Sequence, residues 1–118
     1  MNFAEKRISQ RYKSMARARI NNNNYGEILL KDISITGCRL ESTVAIDLEK
    51  GTQYKIEIIP ENAAAIGRFE ITAELKWIES GGYSTYFGFS IIKSPTGKMF
   101  QRYVDYLTWR PQGTSEDL

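Results

Sequence analysis

Two groups of side chains in this sequence have the types and spacing to grip an anionic purine. The first is Arg7-Ile8-Ser9-Gln10-Arg11, with two guanidiniums four residues apart. Arginine presents a planar fork of N–H donors that matches phosphate oxygens and the O6/N7 edge of guanine. It also stacks on a purine face. The same spacing occurs on solvated helix faces, so the pair alone does not choose between a ligand and water. The second group is Asp32-Ile33-Ser34-Ile35-Thr36-Gly37. A carboxylate can accept from guanine N1–H and its exocyclic amine, and the Ser34 hydroxyl can donate or accept beside it. Gly37 permits a turn and a close approach that a side chain would block. The same residues also suit a purely local arrangement, an Asx- or Ser-turn in which the side chains bond their own backbone.

Composition narrows the chemistry further. The chain of 118 residues has no histidine, which removes the commonest general base and metal ligand. It has one cysteine, Cys38, so neither an internal disulfide nor a cysteine metal pair can form. No paired arrangement of Asp, Glu, Lys or Tyr suggests catalysis. The expectation is a protein without catalytic residues, metal or cofactor. Net charge is +2, but Lys6, Arg7, Arg11, Lys13, Arg17 and Arg19 against Glu5 give residues 1–20 a charge of +5, and the remainder sums to −3. A basic arm on a mildly acidic body suits an anionic partner held at one end, and equally a solvated tail. The N-terminus lacks the apolar core of a signal peptide. No apolar run approaches the roughly 18 residues that span a bilayer. A cytoplasmic protein without membrane insertion is expected.

The elements that must position these groups read as strands. Ala16, Ala18 and Ile20 alternate with Arg17 and Arg19, the asparagine run 21–24 makes a loop, and Tyr25–Lys31 returns as a second strand. Asp32–Gly37 interrupts, and Cys38 and Leu40 then alternate with Arg39 and Glu41. A turn at Glu49-Lys50-Gly51 precedes a strand carrying Tyr54, Ile56 and Ile58. The clearest strand is Phe69–Ile78, with Phe69, Ile71, Ala73, Leu75 and Trp77 on one face, which places Trp77 in the core. After Ser80-Gly81-Gly82, Phe87, Phe89 and Ile91 line a last strand. Ser94-Pro95 then opens an amphipathic helix with Phe100, Tyr103, Val104 and Leu107 on its apolar stripe, ended by Pro111 and Gly113. About six antiparallel strands on short turns tend to close into a barrel, because closure removes exposed edges. The helix would plug one opening or cover a seam.

An arginine pair before the first strand, followed by Asp-x-Ser-x-x-Gly after the second, resembles the two-part signature of PilZ domains. Ala73–Ile78 resembles the long penultimate strand of that family, Phe87–Ser90 its last strand, and Phe100–Leu107 its C-terminal helix. The resemblance spans roughly residues 6–108, and both motif halves are complete. It implies an all-β fold, a six-stranded antiparallel PilZ-type β-barrel with a C-terminal α-helix. The expected layout is a flexible basic arm over 1–12, the barrel and helix over 13–110, and a polar tail over 111–118. It implies a receptor and adaptor for cyclic di-GMP, in motility or biofilm regulation, whose arm moves on binding and signals to a partner protein that the sequence does not identify. Carried onto this chain, Arg7 and Arg11 would grip phosphate and guanine, Asp32 and Ser34 would read a guanine edge, and Gly37 would shape the surface beneath. Lys6, directly before Arg7, is expected to favour two ligand molecules per chain, since a stacked ligand pair gathers four phosphates. Arg17 and Arg19 either extend that site or face solvent, and Tyr12 either stacks on a base or packs locally. The competing readings are a small nucleic-acid-binding barrel and a protein-interaction module that keeps the fold without the ligand; nucleic acid is the less expected partner.

Overall fold

The structure is a computed structural model that describes residues 12–20, 28–93 and 98–109. Among these, the chain forms β1 (Tyr12–Lys13), β2 (Arg17–Ile20), β3 (Ile28–Ile33), β4 (Gly37–Ser42), β5 (Gln53–Ile59), β6 (Phe69–Gly81), β7 (Ser84–Lys93) and helix α1 (Met99–Trp109). A short 3-10 turn, Asn62–Ala64, lies between β5 and β6. Strand pairing follows the order β3–β2–β5–β6–β7–β4, and β4 returns to β3, so six antiparallel walls close into a barrel. β1 and β2 run along the same side of β3, pairing Tyr12 with Ile33 and Ala18 with Ile28. They are one wall broken at residues 14–16. Ser14 N–H still donates to Lys31 and Leu30 N–H to Ala16, so the ladder carries through the break.

Period-two patterning explains which side faces in. Ala16, Ala18 and Ile20 are buried, as are Leu30, Cys38, Leu40, Ile56, Ile58, Ile71, Ala73, Leu75, Phe87 and Phe89. These join one core, sealed at one end by Leu48 from the long β4–β5 connection. The apolar stripe of α1 seals the other end. Phe100, Tyr103, Val104 and Leu107 are buried, and Phe69 at the head of β6 meets the rings of Phe100 and Tyr103 at 6.1 and 6.0 Å. The helix therefore plugs an opening, the first of the two placements that its amphipathic pattern allowed.

Three details depart from the periodic reading. β3 continues through Asp32 and Ile33, because Ile33 is fully buried and pairs with both Cys38 and Tyr12. Asp32 thus sits on a strand wall, not in a turn. The β6–β7 connection is the two-residue loop Gly82–Tyr83, closed by the Gly81–Ser84 pair. Gly82 there has a φ of 77°, a left-handed value that suits glycine. The third correction concerns Trp77. The pairing shifts by one residue between Leu75 and Trp77, opposite Phe89 and Gly88. A one-residue bulge moves every later side chain to the other face. Trp77 therefore leaves the core phase set by Leu75 and lies half-buried on the outer wall, paired with Gly88.

Candidate functional site

The outer wall at the helix end of the barrel gathers the motif residues. Asp32, Arg39, Gly88 and Trp77 are successive cross-strand partners on β3, β4, β7 and β6, and so form one transverse row. The row beside it, toward the helix end, is Gly37, Ser90 and Glu74. Between them lies a cleft of about 300 Å³, lined by Thr36, Gly37, Lys76, Trp77, Gly88, Phe89 and Ser90. That volume stands at the lower end of the range for small-molecule sites.

Each motif side chain has a defined task in this structure. The Asp32 carboxylate accepts from Arg39 Nε at 3.0 Å, with the two side chains 16% and 39% exposed. The Arg39 guanidinium also lies 5.4 Å from the centre of the Tyr86 ring. Tyr86 donates to Glu41, which also pairs with Lys31 at 3.3 Å. A hydrogen bond from Ser84, with help from Lys31 and Tyr86, holds the Glu41 carboxyl below its ordinary value against the opposing effect of burial. Ser34 is buried, and its hydroxyl oxygen accepts from the N–H groups of Thr36 and Gly37 at 3.1 and 3.2 Å. Its own N–H donates to the Gly37 carbonyl at 2.8 Å. Ser34 thus locks the turn from within. Gly37 opens β4, and the Thr36 carbonyl before it accepts from Ile91, tying the turn to β7.

Arg7, Arg11 and Lys6 lie outside the described residues. The segment that carries them joins the barrel at Tyr12. Tyr12 pairs with Ile33 and Lys13 with Asp32, so the chain enters the barrel beside the end of β3, next to the turn at Ser34–Thr36. Tyr12 itself packs against the core. Arg17 lies farther along the wall, beside Leu29 and Ile59, and Arg19 pairs with Glu57 at 3.7 Å.

Two neighbours of the motif escaped the sequence reading. Arg39 stands in the position to hold Asp32, and opposite charges on strands flanking a turn are a usable signal for such a pair. Strict periodicity places Trp77 inward. The available signal was Gly88 between two core phenylalanines, since a glycine inside a strand often marks the close approach of another group. A β-carbon on Gly88 would overlap the Trp77 indole ring. Gly88→Ala is therefore expected to lift the indole off the wall while leaving the barrel closed. Trp109, the other tryptophan, is 84% exposed, so Trp77 carries the blue-shifted part of the emission. A red shift in Gly88→Ala is the expected reading, and an unaltered spectrum would contradict the packing described.

The family described as PilZ domain matches residues 5–109. Among solved structures, the chain is similar to the Bacillus subtilis Inhibitor of motility (MotI/DgrA), with a TM-score of 0.71 and 15% sequence identity over 85% of this chain and 48% of that chain. At that identity the likeness is one of fold, and the chain spans about half the length of that solved neighbour. Among curated proteins none matches.

Proposed function

The chain belongs to the PilZ domain family, and from that premise we propose that it is a cyclic di-GMP receptor and adaptor, without catalytic activity of its own. One observation carries the proposal. Tyr12 and Lys13, the first described residues after Arg11, pair with Ile33 and Asp32, which supports a reading in which both halves of the motif serve one ligand. In this reading Arg7 and Arg11 neutralise phosphate and grip a guanine. Asp32 accepts from a guanine edge. Ser34 holds the turn so that Gly37 presents a smooth floor, and Trp77 walls the cleft with an apolar ring. Capture orders the N-terminal arm, and the changed surface is what a partner protein reads. The residues offer no metal cluster among those described, and among the same residues no helix is long and apolar enough to cross a membrane. A cytoplasmic site of action, where the messenger is made, fits the reading.

Charge placement favours this over a nucleic-acid-binding barrel. Arg19, Lys31, Arg39, Arg68 and Lys76 each have a carboxylate within 4.0 Å. A groove that tracks a phosphate backbone needs cations turned to the strand instead. Lys6 adds a stoichiometric expectation. Two stacked ligands need more cationic neutralisation than one, so the wild type takes two per chain and Lys6→Leu shifts the ratio toward one. Calorimetry with cyclic di-GMP, beside GTP, tests the assignment. Saturable heat with cyclic di-GMP at a ratio near two is expected. A wild-type ratio near one would remove the Lys6 role, and no binding at all would remove the receptor reading.

A further inference from the structure

A partly buried hydrogen-bond chain joins three parts of the molecule that are remote in sequence. Tyr103 of α1 is fully buried, and its hydroxyl donates to Glu61 Oε1 at 2.7 Å. The Tyr103 hydroxyl oxygen also lies 2.6 Å from Ser14 Oγ, across 89 positions of sequence. A tyrosine hydroxyl has one proton, and an ionised carboxylate only accepts. Tyr103 therefore spends its proton on Glu61, and Ser14 must be the donor to Tyr103. Ser14 Oγ in turn accepts from Ala16 N–H at 2.9 Å. The direction of every bond is fixed: Ala16 N–H to Ser14, Ser14 O–H to Tyr103, Tyr103 O–H to Glu61. Such a chain polarises along its length, and a partner left unpaired beside the core is costly.

Its position gives the chain a consequence. Ser14 lies in the break between β1 and β2, two residues after Tyr12, where the arginine-bearing segment joins the barrel. Glu61 lies between β5 and β6, and Tyr103 stacks on Tyr106 and lies tilted against Phe69. We infer that Ser14, Tyr103 and Glu61 form a clasp through which the entry point of the N-terminal segment and the seating of α1 are one coupled equilibrium. This rests on the receptor reading for its ligand: capture by Arg7 and Arg11 tightens β1, β1 holds Ser14, and Ser14 holds the helix. Ser14 and Tyr103 act as positioning residues, and neither lines the cleft. Linkage makes the effect reciprocal, so loosening the clasp weakens capture by the same factor that capture tightens the helix.

The test uses the full chain as wild type, Ser14→Ala, Ser14→Thr and Tyr103→Phe. Amide hydrogen exchange is read first without ligand, across residues 100–109. Loss of one hydrogen bond corresponds to about fivefold in a local opening equilibrium. Ser14→Ala, which removes one bond to α1, is therefore expected to speed helix exchange about fivefold, Tyr103→Phe, which removes two, to speed it more, and Ser14→Thr, which keeps the hydroxyl, to restore the wild-type rate. Unchanged helix exchange in Ser14→Ala would overturn the clasp. Failure of Ser14→Thr to rescue would do the same. Cyclic di-GMP is then added. Slower helix exchange in the wild type and weaker affinity in Tyr103→Phe are expected, whereas a helix indifferent to saturating ligand would overturn the coupling. A wild type that does not bind cyclic di-GMP would remove the receptor reading alone, and the ligand-free exchange would still decide for or against the clasp.

Discussion

Alanine in place of Arg7 or Arg11 is expected to weaken cyclic di-GMP binding tenfold or more, with the fold intact. Each guanidinium is assigned charge-assisted hydrogen bonds to the ligand, and such bonds contribute roughly 1.5–3 kcal/mol apiece. A micromolar ligand has only about 8 kcal/mol to lose, so removal of one arginine takes a large share. The fold is expected to survive, because arginine is a residue type seldom buried in a core and the described core from Ala16 to Leu107 is apolar. Lysine at either position restores charge but not the planar fork, so it rescues only in part. Titration of each variant, with thermal melting as the control for folding, checks this. Wild-type affinity in Arg7→Ala or Arg11→Ala would sink the assignment of that arginine.

Asp32→Ala is expected to abolish the preference for cyclic di-GMP over cyclic di-AMP. Guanine offers N1–H and an exocyclic amine to a carboxylate, and adenine has no N1–H to offer. A well-formed bidentate pair with a base is worth about 1–3 kcal/mol of discrimination, or roughly 5- to 150-fold. The Arg39 contact does not stand in the way. An ionised carboxylate has about four lone-pair sites, and Arg39 reaches it through Nε on one oxygen. Arg39 holds the acceptor at a defined place on the wall and is itself partly exposed. Loss of Asp32 lets the partly exposed Arg39 rehydrate, and thermal melting of Asp32→Ala beside wild type reports the cost to the fold. Parallel titrations of wild type and Asp32→Ala with both dinucleotides measure the ratio. Equal wild-type affinity for the two would contradict the role given to Asp32.

The barrel was legible because most of its walls alternate strictly. Ile56 and Ile58 on β5, and Phe69 to Leu75 on β6, can face a core in one register only, and the helix stripe Phe100, Tyr103, Val104 and Leu107 has the matching period. The limits of that legibility are physical too. A bulge costs one residue of phase, and nothing local in Leu75-Lys76-Trp77 announces it; only the partner glycine across the sheet does. Asp32 looked like turn chemistry because Asp, Ser and Gly are turn formers. Burial of Ile33 held it on a strand instead, while Ser34 took the turn-forming role that the same composition allowed. The break at residues 14–16 was invisible, since a wall interrupted at a serine reads as any short strand until its hydroxyl is seen on Tyr103.

The most direct test of the account is calorimetric titration of the full chain with cyclic di-GMP and with a short single-stranded oligonucleotide, each at low and at high salt. A receptor built on a local motif should bind the dinucleotide with a shallow salt dependence, set by its few phosphates, and take up the oligonucleotide weakly. Tight, length-dependent oligonucleotide binding with a steep salt slope, and no saturable heat from cyclic di-GMP, would contradict it.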